Sequence, residues 1–296
     1  EGDHKGRPYI SCQPHEILKS QDLNLEKKME IFSRPKLGVA LWTLGQMPLA
    51  ESAPLVAEMK YDGVVLPFAQ VETAAAAAHL LQENQLTCFA LTPNPVDLAH
   101  PNTAVRQLAL DHVAEVIETA VTLQTPLVTL RNLPGRIRPV SSHEAEQEYF
   151  ETAVAHLATV AAQHNIRLAV EVVNRYESFL CLTTAETLAM LTRLNQPNLG
   201  LTLSAFHMNL EEQDAAATLR GAGDKLALFY LADSNRQAIG QGHLKLGMHL
   251  WALEAVPDVP IILECLPAGS DPFGDGVGED GRNTVLTYLK DSRTWF

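Results

Sequence analysis

The segment Glu171-Val172-Val173-Asn174-Arg175-Tyr176-Glu177 puts two acids and an arginine at the end of the apolar run Leu168-Ala169-Val170. A run of that kind fills a parallel strand covered on both faces. Carboxylates are costly to bury without a partner, so acids at the tip of such a strand suggest a site where protons are moved. The plain alternative is a buried ion pair between Glu171 and Arg175. What favours a site is that the same unit, apolar strand, polar tip and helix, recurs along the chain.

Strands are expected at residues 37–42, 63–67, 86–91, 126–131, 167–174, 199–203, 226–231 and 259–264, where short apolar runs are bounded by turn residues. Helices are expected between them, near 51–60, 74–81, 103–122, 141–164, 183–195, 214–223 and 244–256, with a last one at 281–290. Ser141-Ser142-His143-Glu144 has the form of a capping box, and Thr183 or Thr184 suits the start of the fifth helix. Eight strand-helix units predict an α/β fold of the closed (β/α)8 TIM-barrel type. A doubly wound open sheet ranks second, since no glycine-rich phosphate loop follows the first strand. Residues 1–35 lack a clear period and read as an N-terminal extension, with a single barrel domain over 36–296.

In such a barrel, function sits where the strands end. Those ends carry Trp42, Phe68-Ala69-Gln70, Asn94, Arg131-Asn132, Glu171 with Glu177, His207, Tyr230 with Asp233 and Arg236, and finally Glu264. Aromatic walls beside acids, imidazole and guanidinium suit a small polyol better than an apolar ligand.

Composition narrows the partners. With 296 residues, 46% hydrophobic and 19% charged, the chain can bury a large core. A net charge of −13, with lysines and arginines scattered, opposes binding to nucleic acid or anionic membrane. Four cysteines far apart, with no CxxC, fit neither a zinc knuckle nor a disulfide framework and point to a cytoplasmic setting. No apolar run is long enough to span a bilayer, and the first residues lack a signal-peptide core. The Gly- and Asp-rich stretch 269–280 reads as a mobile loop beside the mouth and a candidate lid.

Four segments, Glu171 to Glu177, Phe206-His207-Met208-Asn209, Asp233-Ser234-Asn235-Arg236 with Gly240-Gln241-Gly242, and Leu263-Glu264, carry a resemblance. In order and spacing they resemble the ketose 3-epimerases, the D-tagatose and D-psicose 3-epimerase group of the xylose isomerase-like barrels. The resemblance implies a homo-oligomer-forming barrel in which a divalent ion, Mn²⁺ or Mg²⁺, is held by Glu, Asp, His and Glu on strands five to eight. Glu171 and Glu264 match the two glutamates, which the resemblance also makes the proton-transfer groups. Ser204 and Tyr230 stand where aspartate and histidine are implied. Neutral hydroxyls are poor substitutes for carboxylate and imidazole, so a weak or empty metal site is expected. Glu177, His207 and Arg236 match positions that contact the sugar, and Trp42 joins them as a wall.

Three readings follow. One is a sugar isomerase or epimerase acting on a ketose, cyclitol or related polyol with an altered metal site. Another is a non-catalytic barrel that binds a sugar-like ligand or a partner protein. In the third, His243 or Asp233 rebuilds the metal site. For single residues the plain alternatives are a satisfied core histidine at His207 and a local Arg236–Asp233 pair.

Overall fold

Apolar runs of this chain pack as strands because both faces of each are covered, inside by the barrel and outside by helices. The computed structural model describes residues 34–256, 258–270 and 277–296. Its strands are β1 Leu37–Ala40, β2 Gly63–Pro67, β3 Thr87–Thr92, β4 Leu127–Leu130, β5 Arg167–Glu171, β6 Leu199–Ser204, β7 Leu226–Leu231 and β8 Ile261–Leu263. They pair in parallel in chain order, and β1 pairs with β8 to close the barrel. Residues 1–33 of the expected N-terminal extension and residues 271–276 of the expected lid lie outside the described residues.

The outer layer consists of α1 Leu49–Glu58, α2 Ala74–Glu83, α3 Thr103–Thr122, α4 His143–Ala162, α5 Thr184–Leu194, α6 Ala205–Glu211, α7 Ala215–Ala222, α8 Leu246–Leu253 and α9 Glu279–Arg293. Side chains of Asn102, Ser142, Thr183 and Asp214 cap α3, α4, α5 and α7 by accepting from first-turn N–H groups. Helix α6 was not expected. The polar tip after strand six turns straight into a helix, because the Ser204 hydroxyl accepts from the His207 N–H and serves as its N-cap. The first strand is also shorter than its apolar run: beyond Ala40 the chain makes a 3₁₀ turn, Leu41–Leu44, held by Thr43 Oγ1 donating to the Ala40 carbonyl at 2.7 Å. Among the described residues, no helix is long and apolar enough to cross a membrane.

Alternation along the strands sorts side chains between two cores. Ala40, Val65, Ala90, Ala169, Leu228, Tyr230 and Ile262 fill the barrel, while their neighbours Val39, Val64, Leu91, Val170, Phe229 and Leu263 join the layer under the helices. Two bulges adjust this register. Val64 lies opposite Cys88 and Val65 opposite Ala90, so Phe89 is the extra residue of β3. On β7 the pairing steps from Leu201–Leu226 to Thr202–Leu228, so Ala227 is extra and Tyr230, not Phe229, lies beside Ser204.

Phe89 fills the barrel floor. Gly38 and Gly63 are paired neighbours on β1 and β2, and a Cβ on either would come within 3.0 Å of the Phe89 ring. Removing that ring opens a void that the surrounding strands cannot close. Phe89→Ala is expected to cost about 3–5 kcal/mol in urea denaturation, the usual loss for a buried phenylalanine; a loss below about 1 kcal/mol would mean the floor repacks.

Candidate active site at the barrel mouth

Each strand that delivers a polar group to the mouth does so two residues beyond a residue that faces the barrel interior. Thr129 leads to Arg131, Ala169 to Glu171, Thr202 to Ser204, Leu228 to Tyr230 and Ile262 to Glu264. The period of two therefore turns a line of packing residues into a ring of functional ones. Glu264 lies one residue past β8 but stays in register, its N–H donating to the Leu231 carbonyl at 3.0 Å. Trp42 enters from the 3₁₀ turn after β1. Together with His207 and Arg236 these groups line one cavity.

Glu171 is buried and held from two sides. Arg131 Nη1 lies 3.6 Å from its Oε2, and the Tyr230 hydroxyl donates to its Oε1 at 3.5 Å. Burial, reinforced by Glu171 and Glu264, pushes the Tyr230 phenol well above its ordinary value, so it keeps its proton and remains a donor. Arg175, the neighbour expected as a partner, turns outward to Glu211, with Nη2 2.6 Å from Oε2. The local Glu171–Arg175 pair does not form, because the turn after β5 carries that side chain to the surface.

Glu264 receives a hydrogen bond from the Ser204 hydroxyl, and Arg236 Nη2 lies 3.7 Å from its Oε2. Burial pushes its carboxyl up to about 7 against the opposing pull of Arg236 and Ser204, with Glu177 and Glu171 adding to the rise. Glu177 is also raised by burial, opposed by Arg236, Arg131 and Asn174. Its Oε1 takes Arg236 Nη1 at 3.3 Å and the Asn174 amide at 3.3 Å.

His207 is neutral. Burial first, then the charges of Arg236 and Arg131, hold it well below its usual value. Its Nδ1 accepts from the Asn174 backbone N–H at 3.3 Å and lies 2.8 Å from the side-chain amide nitrogen. Both of those groups can only donate, so the ring proton sits on Nε2, 4.0 Å from Glu177. A neutral ring at that distance makes neither a salt bridge nor a hydrogen bond. His207 is thus oriented by Asn174 with its Nε2–H toward the mouth.

Arg236 has a left-handed backbone, φ 63°, in a turn where its N–H donates to the Asp233 carbonyl at 2.8 Å. That conformation sends the guanidinium to Glu177 and Glu264, over the Phe206 ring at 4.5 Å and near Trp42 at 5.8 Å. The Asp233 carboxylate serves a different purpose: it accepts from the N–H groups of Ser234, Gly240 and Leu244 at 2.7 to 2.9 Å. Burial raises its pKa, but these bonds and one from Gly242 outweigh it and leave it lowered. His243 is exposed, its Nδ1 2.9 Å from the Ser234 hydroxyl. Neither Asp233 nor His243 lines the cavity of Glu171 and Glu264, and no group of three His, Cys, Asp or Glu among the described residues is arranged to hold an ion.

The expected site residues Trp42, Glu171, Glu177, His207, Arg236 and Glu264 therefore meet at one mouth. Arg131, Asn174 and Ser204 join them with contacts that had not been foreseen. Arg131 had been visible as the charge that ends the run Leu127-Val128-Thr129-Leu130, two residues past an inward threonine.

A closed parallel (β/α)8 barrel with its polar groups gathered at the strand C-termini defines a TIM barrel of the site-bearing kind. Within that class the chain belongs to the xylose isomerase-like TIM barrel family, whose model matches residues 53–281. The L-ribulose 3-epimerase of Methylomonas sp. (strain DH-1) is 38% identical over 104 residues, 35% of this chain and 36% of that protein. The ketose 3-epimerase of Arthrobacter globiformis is 34% identical over 115 residues, 38% of this chain and 40% of that one. The matched stretch thus spans well under half the length of these curated relatives. A crystal structure of the D-allulose 3-epimerase from Methylomonas sp. shares the fold with a TM-score of 0.77 at 22% identity, covering 89% of this chain and 97% of that one.

The raised Glu264 carboxyl has a thermodynamic signature. The folded state holds this proton more tightly than the unfolded one, so the stabilisation is complete below the unfolded value and is lost as pH rises toward about 7. Between about pH 5 and pH 8 the wild type should lose roughly 3 kcal/mol more stability than Glu264→Gln in urea denaturation. Parallel curves would show that this carboxyl is not held above its ordinary range.

Proposed function

We propose that this barrel is a sugar isomerase or epimerase that moves a proton next to the carbonyl of a ketose, cyclitol or related small polyol. The observation that carries the reading is the pairing of two buried carboxylates, Glu171 and Glu264, in one cavity with Arg236 beside them. Inverting a carbon beside a ketone needs a base to take the proton, donors to hold the developing enediolate oxygen, and an acid to return a proton on the other face. Glu171 and Glu264 supply the two carboxyl groups. Arg236 and the Tyr230 hydroxyl supply donors, while Glu177 and the Nε2–H of His207 are placed to bind ligand hydroxyls. Trp42 and Phe206 give an apolar wall for the sugar's C–H face. Relatives named L-ribulose 3-epimerase and ketose 3-epimerase support the same reaction class.

The residues present do not fit the divalent ion that the resemblance implies. Ser204 spends its hydroxyl on Glu264, Tyr230 is a buried phenol that keeps its proton, and each glutamate already has a guanidinium within 4 Å. An ion entering here would meet two neutral hydroxyls and two fixed positive charges. No step of the proposed reaction is routed through metal.

Binding without turnover is the second reading, favoured by the same loss of a Lewis acid, which ordinarily contributes several kcal/mol. Deuterium incorporation from D₂O into a panel of ketoses separates the two. Exchange into at least one sugar is expected, and Glu171→Gln should lower its rate by about 10²–10⁴ while leaving binding of that sugar in place. Sugars that bind but never exchange would leave only the binding protein.

A further inference from the structure

We propose that Arg131 is the resident cation of this mouth: it occupies the electrostatic role of a divalent ion at Glu171, keeps such an ion out, and binds the oxygen next to which the proton is moved. The last part rests on the sugar reading above; the first two do not.

Arg131 lies two residues past Thr129 and so faces the mouth from β4, the strand paired with β5. Its Nη1 is 3.6 Å from Glu171 Oε2, and only 21% of its side chain is exposed. It lines the same cavity as Glu264 and Arg236. Two guanidinium groups thus face three carboxylates, Glu171, Glu177 and Glu264, around a neutral His207. A separation of 3.6 Å is an ion pair rather than a tight hydrogen bond, and a guanidinium has N–H groups on more than one edge. It can balance Glu171 while presenting a donor to a ligand oxygen.

The surrounding loop fixes this position. Just past Arg131, the Asn132 amide donates to the Ser178 hydroxyl at 3.5 Å and the Gly135 N–H donates to the Glu177 carbonyl at 2.9 Å. Arg136 pairs with the buried Glu146 and reaches Asp97 at 2.8 Å, stacking over Phe179 at 4.7 Å. The β4 loop is thereby bound to the β3 and β5 loops and to α4, which ties down the segment that follows Arg131. A fixed charge in a poorly solvated site needs no reorganisation when negative charge develops on a ligand.

The test measures Mn²⁺ binding alone, then sugar exchange. Wild-type protein dialysed against Mn²⁺ should retain no stoichiometric ion, and EDTA should change neither sugar binding nor exchange. Arg131→Gln, which leaves Glu171 without its cation, should bind Mn²⁺ about tenfold or more tightly than wild type, while Arg131→Lys should exclude it as wild type does. Retention of one equivalent by wild type, or equal Mn²⁺ affinity in wild type and Arg131→Gln, would overturn the proposal. Thermal unfolding confirms that the variants are folded, and Arg131→Lys keeps the comparison open if the glutamine variant is not. In the sugar arm, Arg131→Gln should weaken ligand binding or exchange by about tenfold or more. Absence of any sugar binding to wild type would defeat the sugar reading and leave the Mn²⁺ comparison to decide the rest.

Discussion

Three carboxylates share one poorly solvated mouth, and such a concentration of negative charge persists only if something positive stands among it. Two guanidinium groups fill that need, Arg131 at Glu171 and Arg236 between Glu177 and Glu264. Neutral donors complete the balance, with Ser204 and Tyr230 each giving a hydroxyl proton to one carboxylate. The neighbouring histidine stays uncharged under the same field. Ionisation throughout the mouth is therefore coupled, and no member can be exchanged without altering the others.

Positioning these charges falls to carboxylates of the surrounding loops and of α4. Asp233 gathers the N–H groups of the β7 loop and so fixes the turn from which Arg236 departs. Glu146 and Asp97 hold Arg136 and, with it, the loop that follows Arg131. Three acidic side chains that do not line the cavity thus determine where its two cations stand. That division lets buried ion pairs serve geometry, although burial itself makes them poor sources of net stability.

The barrel was legible because each strand is an apolar run short enough to exclude a helix and bounded by turn residues, and because eight such runs alternate with helical periods. Residues at strand tips were legible for the same reason, since a charge closing a buried run is unusual. Contacts were not. Glu171 and Arg175 are close in the chain and looked like a pair, yet each found a partner on another element, Arg131 across the β4–β5 boundary and Glu211 on α6. Linear spacing reports neighbours along a strand; it is silent about which side chain of the next parallel strand lies alongside. Helix α6 was missed because Ser204 ends a strand and caps a helix in one residue, leaving no turn between them to read.

The extra residue Ala227 in β7 reaches further than its size suggests. Were it drawn into the ladder opposite Thr202, each later residue of β7 would slip by one, bringing Phe229 beside Ser204 at the mouth and sending Tyr230 beneath the helices, whereas its deletion would leave Tyr230 where it stands. The chemistry offered by β7 is thus written in strand register as much as in side-chain identity. A lineage of such barrels could exchange a hydroxyl for a hydrocarbon at this point by ironing out one bulge, with no substitution at the position itself.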